Sequence, residues 1–361
     1  MDASSPCPPD PPTFAFLETS AWSAVEDMAR LEAVRAVGPG ELGAWIDRLG
    51  RAGIVADRHH SPDLYRQLEQ ALRRPIDTIL CNALDVDPAA CLNSALAARY
   101  ALELSAGVLL LWRLTHAEAA AVVVDRRLPA GWWARLQAGC AAIQAVLRPM
   151  VNDYPQADPT LLLYSLLDRR LRPGRLPTEQ GVILLDAAAA VLIGREALLG
   201  EPMTHTPLVI RDHGLKRSEY VVAPIGMAVT ELLDRLDLPW QHRLLRAGDL
   251  LRDVRLSMQT LVGGGELVLH LSAPPPHLNP APCIRCGWCV DACPTRVHPA
   301  AALEAAQRHD SALAERAGIE ACIECGICSY VCPSLLPLLE GIRFIRRMNQ
   351  SLAAAPMVAD E

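Results

Sequence analysis

The chain has 361 residues, which at about 150 residues per domain suggests two or three domains. It is 51% hydrophobic and carries a formal net charge of −7, which excludes the basic face that nucleic-acid binding requires. No stretch reaches the ~18 uninterrupted apolar residues of a membrane-spanning helix; the longest runs, Tyr100–Leu114 and Val182–Gly194, are short and carry charge. The opening "MDASSPCPPDPPTF" is acidic and proline-rich, unlike a signal peptide. These features predict a cytoplasmic chain, in which thiols stay reduced and clustered cysteines read as metal ligands.

Residues 1–40 form a proline-rich segment that becomes short and helical. Residues 41–200 have an α/β texture. "IDTILCNAL" (Ile76–Leu84) reads as a buried strand, and Ala89–Leu114 as one long helix. "AAAVVVD" (Ala119–Asp125) reads as a second strand, with a helix through Trp132–Leu147 behind it. Strand and helix alternate, as they do over a parallel sheet. Cys81, Cys91 and Cys140 are scattered and read as buried free thiols. In residues 201–272 the short β-rich runs "TPLVIRD", "EYVVAPIG" and "GELVLHLS" surround an amphipathic helix, "MAVTELLDRLDL". That order fits a small, ubiquitin-like β-grasp unit. The stiff stretch "SAPPPHLNPAP" then leads into the cysteine-rich residues 273–349, followed by a tail, 350–361.

Those residues contain "CIRCGWCVDACP" from Cys283 and "CIECGICSYVCP" from Cys322, two copies of C-x2-C-x2-C-x3-C-P. This is the bacterial run for a [4Fe–4S] cluster, whose fourth cysteine serves the other cluster. The spacing therefore assigns Cys283, Cys286, Cys289 and Cys332 to one cluster, and Cys322, Cys325, Cys328 and Cys293 to a second. Structural zinc usually takes two C-x2-C pairs, which these runs are not. Gly287 and Gly326 suit a tight backbone next to the metal. Trp288 and Tyr330, close to ligand cysteines, are expected to shield it from water. A helical insertion separates the halves, and an amphipathic helix carrying Arg343, Arg346 and Arg347 follows, its arginines read as a solvated face.

Taken together, the chain resembles the C subunit of the Rnf electron-transport complex, a family related to the flavin-binding subunit of complex I. Besides the cysteine runs, the resemblance rests on "AGIV" (Ala52–Val55), "IDTILCNALDVDP" (Ile76–Pro88), "DYPQAD" (Asp153–Asp158), "LPTEQGVILLDAAA" from Leu176, and "HGLKRSEYVVAPIGMAVTELL" (His213–Leu233). It implies a multidomain α/β plus α+β chain: a Rossmann-like α/β domain, a ubiquitin-like β-grasp domain of the soluble-ligand-binding (SLBB) type, and a mostly helical dicluster ferredoxin module. It also implies Asn82, Asp85 and Asp87 as remnants of a flavin and NADH pocket. The departures are specific. Where the family follows "AGIV" with a glycine-rich loop, this chain has "ADRHHSPDL" (Ala56–Leu64), without a glycine. Ala157-Asp158 replaces a glycine pair, and Asp186 replaces an asparagine.

The expected function is an iron–sulfur electron-transfer subunit passing single electrons through two [4Fe–4S] clusters, with FMN binding and direct NADH oxidation set against by those departures. Its expected partners are redox proteins and a membrane-bound ion-translocating complex, on whose cytoplasmic face it would sit. The alternatives are an FMN-dependent NADH reductase of the cobalamin-reductase type and a non-redox scaffold with structural clusters.

Overall fold

The strand Thr78–Asn82 is buried along its whole length, as is Val182–Asp186 beside it. Strands covered on both faces belong in a parallel sheet, which explains their continuous apolar sequence. In the computed structural model, residues 7–16, 22–54, 61–249, 251–265, 268–274 and 279–354 are described. The strands among them are β1 (Ala15–Phe16), β2 (Thr78–Asn82), β3 (Ala119–Asp125), β4 (Val146–Met150), β5 (Val182–Asp186), β6 (His205–Asp212), β7 (Arg217–Pro224), β8 (Leu244–Ala247), β9 (Val254–Arg255) and β10 (Val268–Ser272). The chain divides into two compact units, the second consisting mainly of the residues from Pro275 onward.

The first unit holds both sheets. Four strands form an all-parallel sheet in the order β4-β3-β2-β5. The helices Ala101–Thr115 and Ala187–Leu199 pack against each other closely enough that glycine is needed on both. A Cβ on Gly107 would lie 2.0 Å from the Ala190 carbonyl oxygen, and one on Gly194 only 1.7 Å from that of Glu103. The other sheet is mixed, in the order β1-β7-β6-β10-β8-β9. β6 and β7 form an antiparallel hairpin, and β10 runs parallel to β6. Leu208, Ile210, Val221 and Leu269 form its core with Leu232 and Leu233 of the helix Val229–Arg235.

Two local readings are corrected. The predicted helix 89–114 is two helices, Leu92–Arg99 and Ala101–Thr115, bent by 92°. The break is at Tyr100, whose backbone leaves the helical region (φ −112°, ψ 45°). The helix predicted to reach Leu147 stops at Ile143, because Gln144 adopts a left-handed conformation, and the chain resumes as β4. The short β1, paired parallel with β7, carries no sequence signal at all. Cys81, Cys91 and Cys140 are buried, as expected. No single described helix is long and apolar enough to cross a membrane.

The second unit is helical: Trp288–Asp291, Pro299–Arg308, Ser311–Arg316, Ile327–Tyr330 and Leu338–Ala354. Its core contains Val297, Ala302, Ala305, Ile319, Ile342 and Ile345. Gly341 lets the last helix approach Leu303 of the second, since a Cβ there would meet the Leu303 side chain at 2.6 Å. Arg343 and Arg346 are not merely solvated: both bind Glu324, at 2.8 and 2.9 Å.

Candidate metal centres

The two cysteine runs fold as copies of one another. Cys283 and Cys322 are 39 positions apart, and the same interval separates three pairs with left-handed backbone: Arg285 and Glu324, Gly287 and Gly326, Arg296 and Leu335. Left-handed residues between the cysteines curl each run inward, and Gly287 and Gly326 then start the short helices that carry Cys289 and Cys328. A repeated backbone with the same reversals gives the two runs the same cradle.

The fourth cysteine of the second run sits with the first run. One cavity is lined by Cys283, Cys286 and Cys289 together with Cys332. Two hydrogen bonds place Cys332 there. Ala281 N–H donates to the Ser334 carbonyl at 3.0 Å, and the Ser334 hydroxyl donates to the Pro282 carbonyl at 3.0 Å. Burial pushes the Cys289 thiol up, and the neighbouring Cys332 and Cys283 add to the rise. In the other half, burial drives Cys328 up to about 12, with Cys322, Cys325 and Cys293 contributing. Thiols that raise one another's pKa in this way are close together and are fit to be held as thiolates by a cation, which reverses that cost.

Backbone amides already point at the sulfurs. Val297 N–H lies 3.3 Å from Cys293 Sγ, Glu324 N–H lies 3.4 Å from Cys322 Sγ, and Ala300 N–H bonds to Cys289. The halves differ in solvent access: Cys283 and Cys286 are exposed, whereas Cys322, Cys325 and Cys328 are buried. Trp288 and Tyr330 are 58% and 75% exposed, and neither lines the cavity of the first run's cysteines. The donor set of four thiolates per site, with amide donors to sulfur, fits iron–sulfur clusters.

The remaining predicted residues lie at the carboxyl edge of the parallel sheet. The strand order reverses between β2 and β5, where open α/β sheets place their ligand crevice. Asn82 and Asp186 face each other in register there. Both are engaged with the chain itself. Asn82 Nδ2 donates to the Ala157 carbonyl at 3.0 Å, and its Oδ1 accepts from Leu84 N–H at 3.1 Å. Asp186 accepts from Ala189 N–H at 2.7 Å, capping the helix Ala187–Leu199. Asp85 accepts from Asn93 N–H at 2.6 Å and from the Ser94 hydroxyl at 2.6 Å, while burial drives its pKa up to about 7. Asp87 forms an ion pair with Arg211. Sequence reasoning missed Arg211, Ser94 and Ser334, whose roles depend on partners that spacing does not reveal. Residues 55–60, with most of the glycine-free loop, lie outside the described residues.

Comparison with known proteins agrees with this division. Residues 56–195 match the family model described as the Nuo51 FMN-binding domain, and residues 276–333 match the 4Fe-4S dicluster domain. The C subunit of an ion-translocating oxidoreductase complex from Edwardsiella ictaluri is 28% identical over 71% of this chain and 33% of its own length. Its counterpart from Erwinia tasmaniensis is 26% identical over 74% of this chain and 34% of its own. The chain thus spans about a third of the length of these relatives. The fold is similar to that of an NAD+-reducing [NiFe]-hydrogenase in the H2-reduced state, with a TM-score of 0.58 and 15% identity over 95% of this chain and 60% of that one. The chain is thus similar to the C subunits of ion-translocating oxidoreductase complexes, with a region that matches an FMN-binding domain model ahead of one that matches a 4Fe-4S dicluster domain.

Proposed function

We propose that this chain is an iron–sulfur electron-transfer subunit. Two [4Fe–4S] clusters, when bound, would accept and release single electrons. Cys283, Cys286, Cys289 and Cys332 would hold one, and Cys322, Cys325, Cys328 and Cys293 the other. The observation that carries this reading is the shared cavity of Cys332 with the first run's three cysteines. Ser334 fixes that shared geometry through Pro282, and the amides of Val297, Ala300 and Glu324 favour the more negative state of the sulfurs they face.

In this reading residues 41–200 are a Rossmann-like domain, 201–272 an SLBB-type β-grasp domain and 273–349 the dicluster module, flanked by 1–40 and 350–361. The reversing order of the four parallel strands supports the first, and the parallel pairing of β10 with β6 in a mixed sheet supports the second. The names of the relatives favour an ion-translocating oxidoreductase complex as the partner; in this reading its redox proteins exchange electrons with the chain, the complex is membrane-bound, and the chain is peripheral on its cytoplasmic face. One observation favours a second reading, an FMN-dependent NADH reductase of the cobalamin-reductase type: the match to an FMN-binding domain over residues 56–195. Anaerobic reconstitution followed by dithionite reduction and EPR tests the electron-transfer reading. Two centres that reduce and reoxidise reversibly would support it. Centres that never change state would return the chain to the scaffold class.

A further inference from the structure

We infer that the crevice of the parallel sheet is closed to FMN by the chain's own carboxylates, and that electrons enter and leave through the cysteine-bound centres alone. The second clause rests on the proposed electron-transfer function; the first stands without it.

A flavin phosphate is held where helix N-termini offer unpaired N–H groups and the positive end of the helix dipole. Three helices begin at this edge of the sheet, and each is already capped by an aspartate. Asp186 takes Ala189 N–H at 2.7 Å. Asp85 takes Asn93 N–H at 2.6 Å, Ser94 N–H at 3.3 Å and the Ser94 hydroxyl at 2.6 Å. Asp158 takes Thr160 N–H at 2.9 Å. A carboxylate at such a position uses the donors a phosphate needs and adds negative charge where the ligand would bring more.

The polar side chain at the switch point is also spent. Both ends of the Asn82 amide are satisfied, by Ala157 and Leu84. Two unpartnered buried atoms near this edge among the described residues, Asn93 Oδ1 and Asn152 Oδ1, are acceptors and have nothing to donate to a phosphate. Nor does the sequence supply a bare backbone: between Gly53 and Gly107 there is no glycine. An anionic ligand therefore meets helix starts whose donors are already engaged by carboxylates.

Equilibrium dialysis of the full chain against FMN tests this directly, on cluster-loaded and cluster-free protein alike. At about 100 µM FMN the bound flavin should stay far below one per chain, which corresponds to a Kd well above that concentration. Asp186→Asn, which keeps a capping oxygen and removes the charge, should tighten the residual binding roughly fivefold, as removal of one nearby like charge does. Stoichiometric FMN on the wild-type chain would overturn the inference, and so would an Asp186→Asn variant of native circular dichroism that binds no better than wild type. Because flavin is measured separately from iron, a failure here is distinct from a failure of the electron-transfer reading, which would appear as missing iron and sulfide.

Discussion

Ser334 grips Pro282. Its hydroxyl donates to the Pro282 carbonyl at 3.0 Å while its own carbonyl accepts from Ala281 N–H, so the residue just before Cys283 is tied to the chain just after Cys332. A ligand from one run is thereby positioned for the other. Ser334 is buried and Pro282 exposed, so Ser334→Ala loses one hydrogen bond, at a cost of about 1 kcal/mol. The expected outcome is faster loss of one centre in air with the other unaffected, followed by decay of visible absorbance and by iron content. Equal loss of both centres would count against this role.

Gly107 and Gly194 set the distance between the two helices that cover the parallel sheet. Replacing a helical glycine by alanine gains up to about 1 kcal/mol in propensity. Here the added methyl collides with a backbone carbonyl at 2.0 or 1.7 Å, which flexible side chains cannot relieve. Overpacking of this kind costs about 1–3 kcal/mol or more, so the collision wins. Gly107→Ala and Gly194→Ala should each lower the midpoint of urea unfolding by an amount worth at least about 1 kcal/mol net.

Asp85 tests the self-capped edge by its pH dependence. Its folded pKa is about 7, raised by burial over the hydrogen bonds from Ser94 and Asn93, against about 3.9 in an unfolded chain. The folded state therefore holds a proton that the unfolded state has lost, and Asp85's contribution to stability declines as pH rises from about 4 to 7. Asp85→Asn keeps the acceptor without the buried charge. The variant's stability relative to wild type should rise between about pH 4 and pH 7 and level off above that, in paired denaturation curves. Asp85→Ala, which leaves Ser94 and two helix amides unpaired, should be the less stable of the two at both pH values, by about 1–2 kcal/mol.

Much of this was legible in the residues, and for physical reasons. Eight cysteines at fixed spacing declare their chemistry because so few arrangements bring three thiolates to one point. β2 and β3 were readable because both of their faces are apolar. The break at Tyr100 was not, since no glycine or proline marks it and the bend answers to packing of Leu92–Arg99 and Ala101–Thr115 in the core. β4 was hidden because Gln144 ends the preceding helix in a conformation usually left to glycine or asparagine. The roles of Asp85, Asp87 and Asp186 depend on partners far along the chain or on helix starts, Arg211 above all, and spacing alone does not reveal such pairs.

The central claim is that each run of cysteines completes the other's centre. Iron, acid-labile sulfide and dithionite-reduced EPR, measured anaerobically on wild type, Cys332→Ser and Cys293→Ser, test it most directly. The account predicts about eight iron and eight sulfide per wild-type chain. It also predicts that Cys332→Ser perturbs the centre of the Cys283 run and leaves that of the Cys322 run intact, with Cys293→Ser doing the reverse. Two zinc ions with no labile sulfide, or a variant that perturbs only the centre of its own run, would contradict it.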